Sequence, residues 1–314
     1  LLPSSLPSAV PMPESTATPP PSAAPPASKG RVFLTRLFST LLLWSLLAAA
    51  FIWKQDWLIV ATAALFGLLG SREFFSLVVD ASRRAFGVFG FCVCAGYWVT
   101  VLAWVLAGRG FPPMALDLAA LALAVQGAFL IAYRYPLEGA ATLQRLFATL
   151  FGVLYTAVFF GFLLRVFFFT AAEGRAGGAF LLLFLIMVTK FSDMGSYAFG
   201  VLFGRHKMIP HISPAKSWEG FGGAFVGAFV GACALMALVP EMLSPLTWPH
   251  LLWLTPLLCL TGISGDLAES VIKRCAHIKD SGHSLPGIGG ILDLTDSLLF
   301  TAPVLYFCLR LIAG

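Results

Sequence analysis

Apolar runs close to membrane-spanning length recur along this chain, separated by short polar loops. They lie near 37–53, 57–79, 86–107, 114–133, 146–168, 179–202, 220–239, 249–268 and 294–312. A helix needs about 20 apolar residues to cross the hydrocarbon core of a bilayer, and its backbone groups must pair within the segment. The pattern predicts an all-α fold, a polytopic helical integral membrane protein of about nine transmembrane helices, forming one membrane domain over 29–314. Small residues inside the runs predict close helix contacts at Gly67 and Gly70, Gly87 and Gly90, and Gly227 and Gly231. Residues 1–28 depart from the pattern. Nine of the 20 prolines fall there among Ser, Ala and Thr, with Glu14 the only charge, which predicts a disordered tail. The tail has no basic stretch followed by an apolar core, so a signal peptide is not expected. The numbering opens on Leu1, which leaves the native start open.

Composition agrees with the pattern: 59% of the 314 residues are hydrophobic and 11% charged, against roughly 25% charged in soluble domains. The net charge of +5 does not point to nucleic acid, because the basic residues sit in short loops. With the N-terminus inside, thirteen Lys and Arg fall on one side and five on the other. That asymmetry predicts a cytoplasmic N-terminus and cytoplasmic polar loops. The six cysteines show no metal-ligand spacing and read as small core residues.

Two polar constellations interrupt the apolar pattern. The first begins with Lys190, Asp193 and Tyr197, whose i, i+3, i+7 spacing shares one helix face. It continues through Ser213-Pro-Ala-Lys-Ser-Trp-Glu-Gly220, where a turn leads into a helix start carrying Lys216 and Ser217. Helix-start N–H groups beside a lysine form an anion site. The second holds Asp266, Glu269, Ser270, Lys273, Arg274, Lys279 and Asp280, then a glycine loop with Gly287, Gly289 and Gly290, then Asp293 and Asp296 at the start of the last run. Glu269 and Lys273 read as an i, i+4 pair. Carboxylates hold Mg²⁺, cations hold phosphates, and glycines let backbone N–H groups approach phosphate oxygens. The combination points to a nucleotide or phospholipid phosphate site. Arg72 and Glu73, inside the second run, read mainly as structural or boundary charges.

The string Ser270-Val-Ile-Lys-Arg-Cys-Ala-His-Ile-Lys-Asp280, followed by Pro286-Gly-Ile-Gly-Gly-Ile-Leu-Asp-Leu-Thr-Asp296, resembles the signature of the phosphatidate cytidylyltransferase (CDP-diglyceride synthase) family. The runs Ser192-Asp-Met-Gly-Ser-Tyr197 and Ser213–Gly220 are similar to that family's other characteristic blocks. The resemblance covers 185–313 and makes that stretch the expected catalytic part. Two positions depart from it. Ile288 stands where the family commonly has His, and Leu294 where it commonly has Arg.

The resemblance implies transfer of the cytidylyl group of CTP to phosphatidate, giving CDP-diacylglycerol and pyrophosphate in phospholipid biosynthesis. It implies Mg²⁺, with a second cation as an option. Asp193, Asp266, Asp293 and Asp296 are the candidates for holding metal, directly or through water, with Asp266 and Asp293 foremost. Asp193, Asp266, Lys273 and Asp293 are the expected catalytic set. Lys216, Arg274 and Lys279, with Ser213, Ser217, Asp280, Gly287, Gly289 and Gly290, are the expected contacts to substrate phosphates. The implied partners are CTP, phosphatidate and membrane lipids, and a homodimer is an option. The implied location is the bacterial inner membrane with a cytoplasmic active site. Two other readings stay open: a CTP-dependent polyprenol- or phytol-type lipid kinase, and a transporter of a phosphorylated solute using Lys190 and Asp193. A transporter predicts an inverted internal repeat, and the sequence shows no convincing one.

Overall fold

Apolar sequence on all sides of a helix leaves it nowhere stable but a bilayer or a large core, and the described residues form eight such helices. The computed structural model describes residues 56–79, 83–169, 177–278, 281–282 and 289–314. The expected tail over 1–28, the first apolar run at 37–53 and the loop positions Lys279, Asp280, Gly287 and Ile288 lie outside the described residues. The helices are α1 (Asp56–Val78), α2 (Arg84–Leu106), α3 (Ala115–Ala132), α4 (Ala140–Phe167), α5 (Gly178–Phe203), α6 (Trp218–Leu238), α7 (Trp248–Cys275) and α8 (Ile291–Ala313). Each is long and apolar enough to cross a membrane. The chain is an all-α polytopic membrane protein, and its eight described helices answer the last eight apolar runs of the sequence.

Two helices start or end well outside the apolar runs that mark them. Helix α7 continues past the apolar run at 249–268 to Cys275, so Glu269, Lys273 and Arg274 sit on its last turns. The i, i+4 pairing of Glu269 with Lys273 lets the helix continue once its apolar side chains give out. Helix α4 begins at Ala140, ahead of the apolar run at 146. It contains one π-turn over Leu154–Val158, where Thr156 Oγ1 meets Ser71 Oγ of α1 at 2.8 Å. Between α5 and α6 the sequence predicts only a turn. The structure forms a two-stranded antiparallel hairpin there, β1 (Lys207–Ile209) with β2 (Ser213–Ser217). The Ser217 side chain then accepts from Gly220 N at 3.1 Å and caps α6.

Glycines let α5 and α6 pack backbone to backbone. A Cβ at Gly227 would lie 2.0 Å from Phe191 O, and one at Gly195 2.2 Å from Gly223 O. Small residues permit this approach in membranes, where tight packing replaces the hydrophobic drive. Gly67 instead receives the Trp98 ring, and Gly90 the Phe75 ring. One buried apolar cluster joins α5, α6, α7 and α8 with the second half of α4, and another joins α1, α2, α3 and α4 with the start of α8. Helix α8 therefore touches both halves. In the loop before α4, Arg145 and Arg83 hold the Glu138 carboxyl below its ordinary pKa range.

Candidate active site

The polar residues of α5, the hairpin, α7 and α8 converge at one end of the bundle around a cavity of about 480 Å³. Lys190, Asp193 and Tyr197 of α5 all line it, as their shared helix face requires. Ser213, Lys216 and Ser217 come from the hairpin, Asp266 from α7, and Asp293, Asp296 and Ser297 from α8. Seven of the residues expected from sequence thus meet in one place: Asp193, Ser213, Lys216, Ser217, Asp266, Asp293 and Asp296.

The charges are arranged in pairs. Lys216 Nζ lies 2.6 Å from Asp266 Oδ2, which ties the hairpin to α7. Lys190 Nζ lies 3.6 Å from Asp193 Oδ2 and donates to Leu294 O at 3.2 Å. Lys273 Nζ bridges Glu269 Oε2 at 2.6 Å and Asp293 Oδ1 at 2.7 Å. Asp293 Oδ2 accepts from Ser281 N, Ser281 Oγ and Gly290 N at 2.9–3.1 Å. Both oxygens of Asp293 are engaged in joining α7, α8 and the Ser281 segment.

Asp266, Glu269 and Asp296 bring one carboxylate oxygen each within 4.8 Å of one another. Lys216 takes Asp266 Oδ2, Lys273 takes Glu269 Oε2, and Ser297 N takes Asp296 Oδ1. Each carboxylate keeps a further oxygen, and Glu269 Oε1 is buried without a partner. A buried carboxylate oxygen with no donor is costly unless a proton or cation satisfies it. The cavity lining sets Asp193, Asp266, Asp293 and Asp296 against Lys190 and Lys216. The formal excess is two negative charges, which suits a divalent cation on oxygen ligands.

Other expected contacts fall elsewhere. Arg274 Nε donates to Ile212 O at 3.2 Å and braces the hairpin from outside the cavity lining. Gly289 and Gly290 are also outside the lining, and their lack of side chains serves the protein's own packing. Gly289 has φ +125°, and a Cβ at Gly290 would lie 2.0 Å from Ser281 Oγ and 2.7 Å from Glu73 Oε2. Glu73 of α1 accepts Ile291 N at 3.1 Å and Leu292 N at 3.2 Å. With Asp293 on Gly290 N, the first three backbone donors at the start of α8 are occupied. The place a phosphate would take at that helix start is filled by a carboxylate.

Glu73, Glu269 and Ser281 are thus the site residues that sequence reasoning gave no role in the site. Glu269 was findable, because it follows Asp266 at i+3 on the same face. Glu73 carried no local signal, since its partners lie at the other end of the chain. The Leu294 side chain does not line the cavity.

Comparison with known proteins agrees with the geometry. The Cytidylyltransferase family profile matches residues 34–312. An uncharacterized Escherichia coli K12 protein, YnbB, is 37% identical over 169 residues, 51% of this chain and 55% of its own length. The phosphatidate cytidylyltransferase of Bacillus subtilis is 47% identical over 120 residues, 38% of this chain and 44% of its own length. That of Staphylococcus saprophyticus is 42% identical over 133 residues, 42% of this chain and 50% of its own length. The chain spans about half the length of the curated relatives it matches.

Proposed function

The chain belongs to the cytidylyltransferase family, and on that premise we propose that it transfers the cytidylyl group of CTP to phosphatidate, giving CDP-diacylglycerol and pyrophosphate. The observation that carries this reading is the gathering of the acidic cluster and the lysines in one cavity at the helix ends. A phosphatidate oxygen attacks the α-phosphorus of CTP. The bond from that phosphorus to the bridging oxygen breaks, and pyrophosphate leaves. A phosphate monoester has a second pKa of roughly 6, so the nucleophile is already ionised near neutral pH and needs no dedicated base. The remaining demand is to hold two polyanions together in line.

Lys190 and Lys216 are the cavity's cations for substrate phosphates, with Ser213 beside them. Lys216 is available to a phosphate only by sharing its ammonium with Asp266, so nucleotide binding couples the hairpin to α7. Asp266, Glu269 and Asp296 would hold Mg²⁺, and Asp193 and Asp293 are the further acidic candidates, directly or through water. Bound there, the cation supplies the charge neutralisation that lets the two phosphates approach. Lys273 and Asp293 keep Glu269 and the start of α8 in register. The Lys and Arg asymmetry of the loops supports a cytoplasmic position for this end of the bundle, where CTP is found.

The test is the fate of labelled phosphate in purified protein given phosphatidate and Mg²⁺. Label in the α-phosphate of CTP should enter the lipid, and γ-label should leave as pyrophosphate. γ-Label entering lipid would indicate a kinase, and no transfer of either label would sink the reading.

A further inference from the structure

A second charged cleft lies at the far end of the bundle and takes no part in the reaction above. The part of α8 between Asp293 and Arg310 rises about 26 Å, so the two residues sit at opposite ends of the membrane-spanning length. At the Arg310 end, Arg165 of α4 is 6% exposed. Its Nη2 pairs with Asp117 of α3 and its Nη1 donates to Pro112 O at 3.0 Å. Tyr97 Oη donates to the other Asp117 oxygen at 2.9 Å. The Arg165 Nε–H is buried with no partner.

Arg165 and Arg310 together line a cleft of about 550 Å³ whose remaining walls include Phe111, Pro113, Met114 and Phe307. A recess of about 140 Å³ runs between the same two arginines. Arg310 has no carboxylate partner among the described residues. Its Nε donates to Tyr306 Oη at 3.1 Å, and its guanidinium lies 5.7 Å from the Phe169 ring. Snorkelling of an arginine at a helix end accounts for the exposure of Arg310. It does not account for a buried arginine lining the same cleft with an unsatisfied donor.

Asp117 neutralises Arg165, so the described residues of the cleft keep one formal positive charge. We propose that it binds the phosphodiester of a net-anionic membrane lipid, one with no cation in its head group, in the leaflet facing away from the acidic cavity. Arginine forks suit phosphate oxygens, and basic pockets between spanning helices take lipid head groups. The apolar walls match the glycerol and upper acyl carbons beneath such a head group. A free phosphate shares the anion chemistry but would leave those walls uncovered.

The experiment is native mass spectrometry of the purified chain in mixed micelles with dioleoyl phosphatidylglycerol or dioleoyl phosphatidylcholine. Phosphatidylglycerol should bind in preference, and Arg310→Gln should weaken it about tenfold, as expected for one charge-assisted contact. Arg134→Gln, at an exposed position outside both cavities, should leave this binding unchanged, and millimolar inorganic phosphate should not displace the lipid. Arg310→Gln is the informative variant because Arg165→Gln also breaks the buried pair with Asp117. The proposal is overturned by unchanged binding in Arg310→Gln, by equal binding of phosphatidylcholine, by displacement with inorganic phosphate, or by an equal loss in Arg134→Gln.

Discussion

Replacing Glu73 with Gln tests how the first half of the chain holds the second. The two Glu73 oxygens accept the N–H groups of Ile291 and Leu292, and the residue is 5% exposed. In Glu73→Gln one oxygen becomes an amide that cannot accept, so one buried N–H loses its partner at about 1–3 kcal/mol. Loss of the carboxylate at the positive end of α8 adds about 0.3–1 kcal/mol. The sum, about 1.3–4 kcal/mol, is a factor of roughly 10 to 1,000 in the opening of the α8 start. Hydrogen exchange of the peptide covering Gly290–Leu292, read by mass spectrometry in nanodiscs, measures that opening without reference to activity. Protection there should fall by that factor while α5 and α6 stay protected. Exchange within twofold of the starting protein would refute the capping role of Glu73.

Other perturbations follow from the same geometry. Gly227→Ala places a Cβ against a backbone oxygen of α5 that has no rotamer to yield, and overpacking of this kind costs about 1–3 kcal/mol; a lower thermal midpoint in detergent is expected, and an unchanged one would deny the close α5–α6 contact. Gly290→Ala should be worse for activity than for backbone conformation, because φ −80° suits alanine while Ser281 and Glu73 occupy the space; the comparison is turnover beside far-ultraviolet helix content. Leu294→Arg should alter turnover by less than about tenfold, under 1.4 kcal/mol, since Leu294 is off the cavity wall; turnover gained only in the variant would mark the natural chain as repurposed. A cysteine at Ser213, in a background without other cysteines, should label from the cytoplasmic side only, and labelling from outside would reverse the orientation.

What the sequence made legible was whatever local spacing encodes. The Lys190, Asp193 and Tyr197 face, the helix start at Ser217 and the Gly227 contact are all readable from a few residues, and the structure places each as the spacing requires. The end of α7 was not legible from hydropathy, because its last turns are held by the Glu269–Lys273–Asp293 bridge rather than by apolar burial. The sequence marks only a turn at Ser213-Pro214, because strands of three and five residues are too short to show a period. Glycines at 289 and 290 suggested a loop closing on phosphate. Their nearest neighbours are Asp293, Ser281 and Glu73, a long-range arrangement that no window of the sequence contains.

Cytidylyl transfer in this cavity is tested most directly by single-turnover transfer from CTP labelled in its α-phosphate to phosphatidate, in the starting protein beside Asp266→Asn. Asp266 holds Lys216 and belongs to the acidic triad, and asparagine removes its charge at nearly constant volume. Label should pass to the lipid in the starting protein and slow by about a hundredfold or more in the variant, the scale of losing one preorganised charge at a reacting phosphate. Equal transfer by the two proteins would contradict the assignment of cytidylyl transfer to this cavity.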